Sequence, residues 1–132
     1  MGRALIKAII FDFYGVIFRD GKLDNEVLEL IGKLRGKYKL AVVSNINRIV
    51  FDEMMDSKTQ AKFNALLLSS ETGYYKPGEG AFINAAKMLN LKPEECLLID
   101  DLQQNINGAV QTGMLGVLYK NPEQLKSELN KI

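Results

Sequence analysis

The stretch Ala8-Ile9-Ile10-Phe11-Asp12-Phe13-Tyr14-Gly15-Val16 decides how this chain is read. An apolar run of strand character ends abruptly at a carboxylate, and a glycine follows three positions later. At the carboxyl end of a strand in an open parallel sheet, the backbone turns outward beside the crevice where ligands sit. An aspartate placed there is aimed at that crevice, and a carboxylate serves as a nucleophile or a metal ligand. The functional reading grows outward from Asp12.

Downstream of this run, strand-like stretches alternate with helical periodicity. After a first strand over Leu5 to Phe11, the segment Asp24 to Arg35 carries Val27, Leu30, Ile31 and Leu34 at helical spacing, with Asp24 as N-cap. Lys39 to Val43 reads as a second strand, and a helix is expected from about Ile46 to Asp56. Ala65 to Leu68 is a third strand. Pro77 and Glu79 open a helix to Asn90, with Phe82, Ile83, Ala86 and Leu89 on its inner face. Leu97 to Ile99 is a fourth strand, and the helix after it is expected to turn Leu102, Ile106, Ala109 and Val110 inward before stopping at Gly113. Leu115 to Tyr119 is a fifth strand. Asn121-Pro122 then starts a last helix, with Asn as cap and Pro at the first helical position. Strands alternating with helices predict an α/β fold with a parallel sheet covered on both faces. No repeat or linker interrupts the pattern, so residues 1–132 are read as a single domain.

Composition removes several classes of function. A net charge of +1 gives no electrostatic case for nucleic acid or an anionic membrane. The densest basic group, Lys33, Arg35, Lys37 and Lys39, reads as a solvated helix end, with phosphate steering as the second choice. The single cysteine, Cys96, excludes an internal disulfide and a cysteine-cluster metal site, and it is expected to be a buried structural thiol. The absence of histidine removes serine–histidine and cysteine–histidine catalysis and leaves carboxylates, Lys, Tyr and hydroxyls. There is no long apolar stretch to act as a signal peptide or membrane span, and a reducing cytoplasmic setting is expected.

Polar clusters follow directly after three of the strands: Asp12 with Tyr14, Ser44 with Asn45, and Asp100 with Asp101. Lys76-Pro77 lies in the loop before the third long helix. Each has a bland reading. Asp101, with Gln104 three positions on, would make a capping box, and Ser44 or Asn45 would cap the next helix. Lys76 would be a solvated loop lysine, and Asp12 would simply end a strand. Four coincidences in this order favour one shared crevice instead.

With these residues in hand, the chain resembles the haloacid dehalogenase (HAD) superfamily over nearly its whole length. Ile10-Phe11-Asp12-Phe13-Tyr14-Gly15-Val16 is similar to the first motif of that family, Val42-Val43-Ser44-Asn45 to the second and Gly73-Tyr74-Tyr75-Lys76-Pro77 to the third. Leu98-Ile99-Asp100-Asp101, continuing through Asn105 to Gly113-Met114, is similar to the fourth. The segment Ser69-Ser70-Glu71-Thr72-Gly73 resembles the dehalogenase-like subgroup. The resemblance implies a single Rossmann-like domain whose five parallel strands lie in the order 5-4-1-2-3. It implies that Asp12 attacks a phosphorus centre, that Ser44, Asn45 and nearby amides hold the phosphoryl oxygens, and that Lys76 neutralises charge. It also implies Mg²⁺, held by Asp12, the Tyr14 carbonyl and Asp101, with Asp100 acting through water.

The chain departs from the family pattern in two places. Phosphatases of the superfamily carry a second aspartate, as general acid and base, where this chain has Tyr14, and a phenol is a poor proton donor near neutral pH. Asp-x-Tyr-Gly is similar instead to the 2-haloacid dehalogenases, whose halide leaves without a proton or a metal. The acidic pair Asp100-Asp101 points back to a cation, because adjacent carboxylates repel unless something positive sits between them. Size is the second departure. The intervals Phe13–Val43 and Asn45–Tyr75 leave no room for a substantial cap, only for a hairpin-like flap over Val16 to Leu23 with Asp20-Gly21 as its turn. The expected activity is therefore that of a capless, Mg²⁺-dependent phosphatase, slow or restricted in substrate, on a phosphorylated small molecule or macromolecule. A 2-haloacid dehalogenase-like hydrolase and a catalytically impaired binding protein are the alternatives. An open site of this kind also suits a homo-oligomer, in which a neighbouring subunit closes it.

Overall fold

Alternate residues of a strand point to opposite faces of its sheet, and here both faces are apolar. Ala8, Ile10, Ala41, Val43 and Leu98 enter one buried cluster, while Ile9, Phe11, Leu40, Val42, Leu97 and Ile99 enter the other. Such runs require cover on both sides, as parallel strands of α/β proteins do. The computed structural model, which describes residues 5–132, shows this arrangement. Strand β1 (Ala8–Phe11) lies at the centre, between β4 (Lys39–Ser44) and β6 (Cys96–Asp100), with β5 (Ala65–Leu68) and β7 (Leu115–Leu118) at the edges. The order β5-β4-β1-β6-β7 is the predicted order 5-4-1-2-3 read from the other edge, and all the pairings are parallel.

One face is covered by α1 (Asn25–Leu34), α2 (Arg48–Met54) and α7 (Pro122–Leu129), through Val27, Ile31, Phe51 and Leu125. The other is covered by α5 (Glu79–Met88) and α6 (Gln103–Gln111), through Phe82, Ala85, Ala86, Ile106 and Ala109. Each fully buried Phe, Ile or Leu contributes roughly 1.5–3 kcal/mol of transfer free energy. The helix starts are capped as expected. Asp24 accepts from the amides of Glu26 and Val27 at 3.0 and 3.2 Å, and Asn121 accepts from Gln124 at 2.8 Å. Between β1 and α1, strands β2 (Phe18–Arg19) and β3 (Lys22–Leu23) form the expected hairpin, with Asp20 and Gly21 both at positive φ (54° and 77°). The Arg19 guanidinium tethers it to the end of β7, donating to the Tyr119 hydroxyl at 3.3 Å.

Several local expectations are corrected. The helix expected from Ile46 to Asp56 is the shorter α2, capped by Asn47, and an additional short helix, α3 (Ser57–Gln60), capped by Asp56, follows it. Another short helix, α4 (Ser69–Thr72), follows β5 directly. Ile83, Leu102 and Val110 face solvent at 47%, 49% and 52% exposure, and Ala85 and Asn105 take the inward places instead. No helix among the described residues is long and apolar enough to cross a membrane.

Candidate active site

Register brings the site together. Phe11 is paired with Val42 on one side and with Ile99 on the other, so Asp12, Ser44 and Asp100 emerge past the same edge of the sheet. The Asp12 amide donates to the Ile99 carbonyl at 2.9 Å, which fixes it at the strand end. Asp12, Tyr14, Ser44, Asn45, Lys76 and Asp101 all line one open crevice of about 290 Å³. Asp100 is wholly buried, next to Lys76. The structure thus gathers every residue singled out from the sequence.

The Lys76 ammonium is buried (its side chain is 2% exposed) and contacts Asp12 Oδ1 at 2.7 Å and Asp100 Oδ2 at 2.8 Å. A buried ion pair offsets its desolvation only when its remaining hydrogen bonds are made. Asp100 meets that condition: its Oδ1 accepts from the Leu102 amide at 3.0 Å, and its Oδ2 also accepts from Asn105 Nδ2 at 3.1 Å. The loop that carries the lysine is held by Asn45. That side chain accepts from the Lys76 amide at 2.9 Å and donates to the Lys76 carbonyl at 3.0 Å. Asn45, expected to touch phosphate, therefore uses its side chain to position the lysine.

The bland readings of these residues are not the ones realised. Helix α2 is capped by Asn47 and not by Ser44 or Asn45, and α6 has Leu102 at its N-cap position with no side-chain cap. Asp101 stays at the crevice, where one of its oxygens lies with one oxygen each of Asp12 and Asp100, the three within 4.8 Å of one another. Three carboxylates against one ammonium leave a surplus of negative charge. Burial pushes the Asp12 carboxyl up to about 7, with Lys76 pulling it down and Asp100 pushing it up. The donor set is all oxygen, which suits a hard divalent cation. Asn105 Oδ1 adds a buried oxygen with no hydrogen-bond partner, beside Asp100. The sequence stretch from Leu98 to Met114 contains Asn105 but marks no role for it. Its only sequence signal is a polar residue on what is otherwise the inner stripe of α6.

Gly15 makes room for this cluster. It sits at φ +89°, and a Cβ there would lie 2.1 Å from Asp101 Oδ2. Gly15→Ala should therefore displace the Asp101 carboxylate and weaken binding of a divalent cation titrated into this cluster by about 10–100-fold, besides a backbone cost of about 1–3 kcal/mol. Gly21→Ala supplies the contrast: φ is +77° but nothing lies within 4 Å, so stability should fall while metal affinity stays unchanged.

Two other groups lie apart from the crevice. Cys96 is buried, and burial pushes its thiol up to about 11, which suits a structural residue. Arg35, Lys37 and Lys39 border a concavity with Lys7 and Lys62 at the amino edge of the sheet, opposite the crevice. None of them lines the crevice.

Comparison with known proteins agrees with this geometry. The family model described as haloacid dehalogenase-like hydrolase matches residues 18–118, starting just after the strand end that carries Asp12. A glyceraldehyde 3-phosphate phosphatase of Methanopyrus kandleri is 30% identical over 86% of this chain and 50% of its own length. The chain spans about half the length of the curated relatives it matches, or less. An uncharacterized protein from Corynebacterium glutamicum superposes with a TM-score of 0.79 at 28% identity, over 96% of this chain and 93% of its own. A HAD family enzyme from Bacteroides thetaiotaomicron, solved with magnesium and inorganic phosphate, has the same fold, with a TM-score of 0.78 at 19% identity over 87% and 94%.

Proposed function

We propose that this chain, which belongs to the haloacid dehalogenase-like hydrolase family, is a Mg²⁺-dependent phosphohydrolase acting through an aspartyl-phosphate on Asp12. The observation that carries the reading is the buried Lys76 ammonium held between Asp12 and Asp100, with the Asp101 carboxylate beside them. A nucleophilic carboxylate and a phosphoryl group repel each other, and attack needs positive charge at both. Lys76 supplies one such charge at Asp12 Oδ1 and leaves the other oxygen for attack. Asp12, Asp101 and the Tyr14 carbonyl would hold Mg²⁺, with Asp100 acting through water. The cation supplies charge neutralisation and a fixed orientation for the phosphoryl oxygens.

In this reading the chain's own groups divide the work. Asp12 forms the covalent bond, and Ser44 and the Asn45 amide hold phosphoryl oxygens. Asn45, through its two bonds to the Lys76 backbone, sets where the ammonium sits. Water then attacks the phosphoryl group and returns the electron pair to Asp12. The substrate is a phosphorylated small molecule or a phosphoryl group displayed on a macromolecule, since the crevice is open and no residue of the Phe18–Leu23 hairpin lines it. Closure of the site by a second copy of the chain belongs to the same proposal.

Turnover of an aryl phosphate tests it. Chelation by EDTA should reduce the rate at least about 10²-fold, and added Mg²⁺ should restore it. Chelator-resistant hydrolysis of a 2-haloacid, without phosphate release, would replace the reading with dehalogenation.

A further inference from the structure

Resting on the phosphohydrolase reading, we infer that the crevice selects phosphates carried on an acidic oxygen. These are acyl, enol and aryl phosphates with an uncharged, apolar body, whose leaving group departs without a proton from the protein.

The first argument is an inventory of proton sources among the described residues. The Lys76 ammonium is buried and engaged by two carboxylates at 2.7 and 2.8 Å. The side-chain amide of Asn45 is spent on the Lys76 backbone, and that of Asn105 on Asp100. Asp12 is the nucleophile, and Asp101 is committed to the cation. Tyr14 remains. Its hydroxyl donates to Met54 Sδ at 3.2 Å, and its ring packs edge-on against Phe13 and Phe18 at 5.3 and 6.0 Å between centroids. Met54 belongs to α2 and does not line the crevice. The phenol proton is thus directed out of the site. A positioned general acid contributes about 10²–10⁴-fold to loss of a basic leaving group, and that contribution is missing here.

The second argument is the character of the rim. The Tyr14 ring and Leu102, 42% and 49% exposed, are the apolar walls at the mouth. Lys76 is the one cation lining the crevice among the described residues, and it is buried. A leaving group with its own phosphate or carboxylate charge, such as a nucleoside diphosphate, would find no counter-ion. A neutral, apolar acyl or aryl body fits both walls.

The steps balance without an acid. An Asp12 oxygen bonds to phosphorus, and the bond from phosphorus to the leaving oxygen breaks. Its electron pair departs as a carboxylate, enolate or phenolate. A water oxygen next bonds to phosphorus, the bond to Asp12 breaks, its pair returns to the carboxylate, and the water proton passes to solvent.

The test is kcat/KM with Mg²⁺ for acetyl, 4-nitrophenyl, phenyl and propyl phosphate. This constant reports steps only through departure of the leaving group, so slow hydrolysis of the intermediate does not mask the trend. It should fall at least about 10³-fold from acetyl to propyl phosphate. Tyr14→Phe should leave that ratio within about threefold, and Tyr14→Asp should raise propyl phosphate relative to acetyl phosphate at least about 10²-fold. A flat series in the wild type would overturn the inference, as would a Tyr14→Phe loss confined to propyl phosphate. Absence of Mg²⁺-dependent turnover on every member, acetyl phosphate included, would instead remove the phosphohydrolase reading itself.

Discussion

Asp12→Asn is expected to abolish turnover and, in the absence of metal, to make the folded protein more stable. The loss follows from the chemistry: an amide cannot form the covalent intermediate, and removing a nucleophile of this kind costs at least about 10⁴-fold. The gain follows from burial. Asp12 is 6% exposed, and the loss of hydration outweighs the pull of Lys76, so its carboxyl is pushed from 3.8 up to about 7. Folding therefore takes up a proton at this residue. The stability associated with it is complete below about pH 4, is lost as the pH rises to about 7 and does not fall further above that.

Asparagine has no such titration. With EDTA present, the stability difference between Asp12→Asn and wild type should widen between pH 5 and pH 7.5 by on the order of 2 kcal/mol. Urea unfolding at the two pH values reads this directly. A difference independent of pH would show that burial of the charged form is not what strains the site. Saturating Mg²⁺ should shrink the gap, because a cation that binds the folded wild type more tightly stabilises it by mass action.

The same balance explains what the sequence revealed and what it concealed. Strand runs such as Ala65–Leu68 were legible to the residue, because a strand buried on both faces must be apolar throughout. The crevice was legible because Asp12, Ser44 and Asp100 each end such a run, and parallel register carries strand ends to one edge. Helix faces were less legible. A periodicity of 3.6 admits two neighbouring phases, and tertiary packing chose the one that turns Asn105, rather than Leu102 or Val110, inward. The choice is a polar one: Asn105 supplies Asp100 with a donor that no apolar residue could. Contacts made only in space left no trace along the chain. Asn45 gripping Lys76 and Met54 receiving the Tyr14 hydroxyl join residues with no sequence spacing to announce them.

Lys76→Met should have the largest effect on stability, and it should move metal affinity and turnover in opposite directions. Met keeps the length of the side chain but removes the ammonium from between two carboxylates whose side chains are 9% and 0% exposed. Breaking a buried pair by deleting one partner costs about 3–5 kcal/mol, because the surviving charge is left uncompensated. For a domain of this size that is a fall of roughly 10–15 °C in the melting temperature. Asp100 keeps its bonds from Leu102 and Asn105 and so holds its place, while Asp12 loses its side-chain donor. Once Asp12 is ionised, which without the pull of Lys76 takes a higher pH than in the wild type, the trio of carboxylates carries one more uncompensated negative charge. Mg²⁺ should bind more tightly than to the wild type, with the larger part of the lost stability restored at saturation. Catalysis should still fall at least about 10²-fold, since the charge that Lys76 placed at Asp12 Oδ1, beside the attacking oxygen, is gone. Adding Asp12→Asn to Lys76→Met should recover stability without metal, giving a sum far from additive, as residues sharing one network do. Melting curves and Mg²⁺ titrations of the two single variants and the double variant check each step. Tighter metal binding together with a lower rate is the decisive pair, because a lysine that merely supported the fold would lower both.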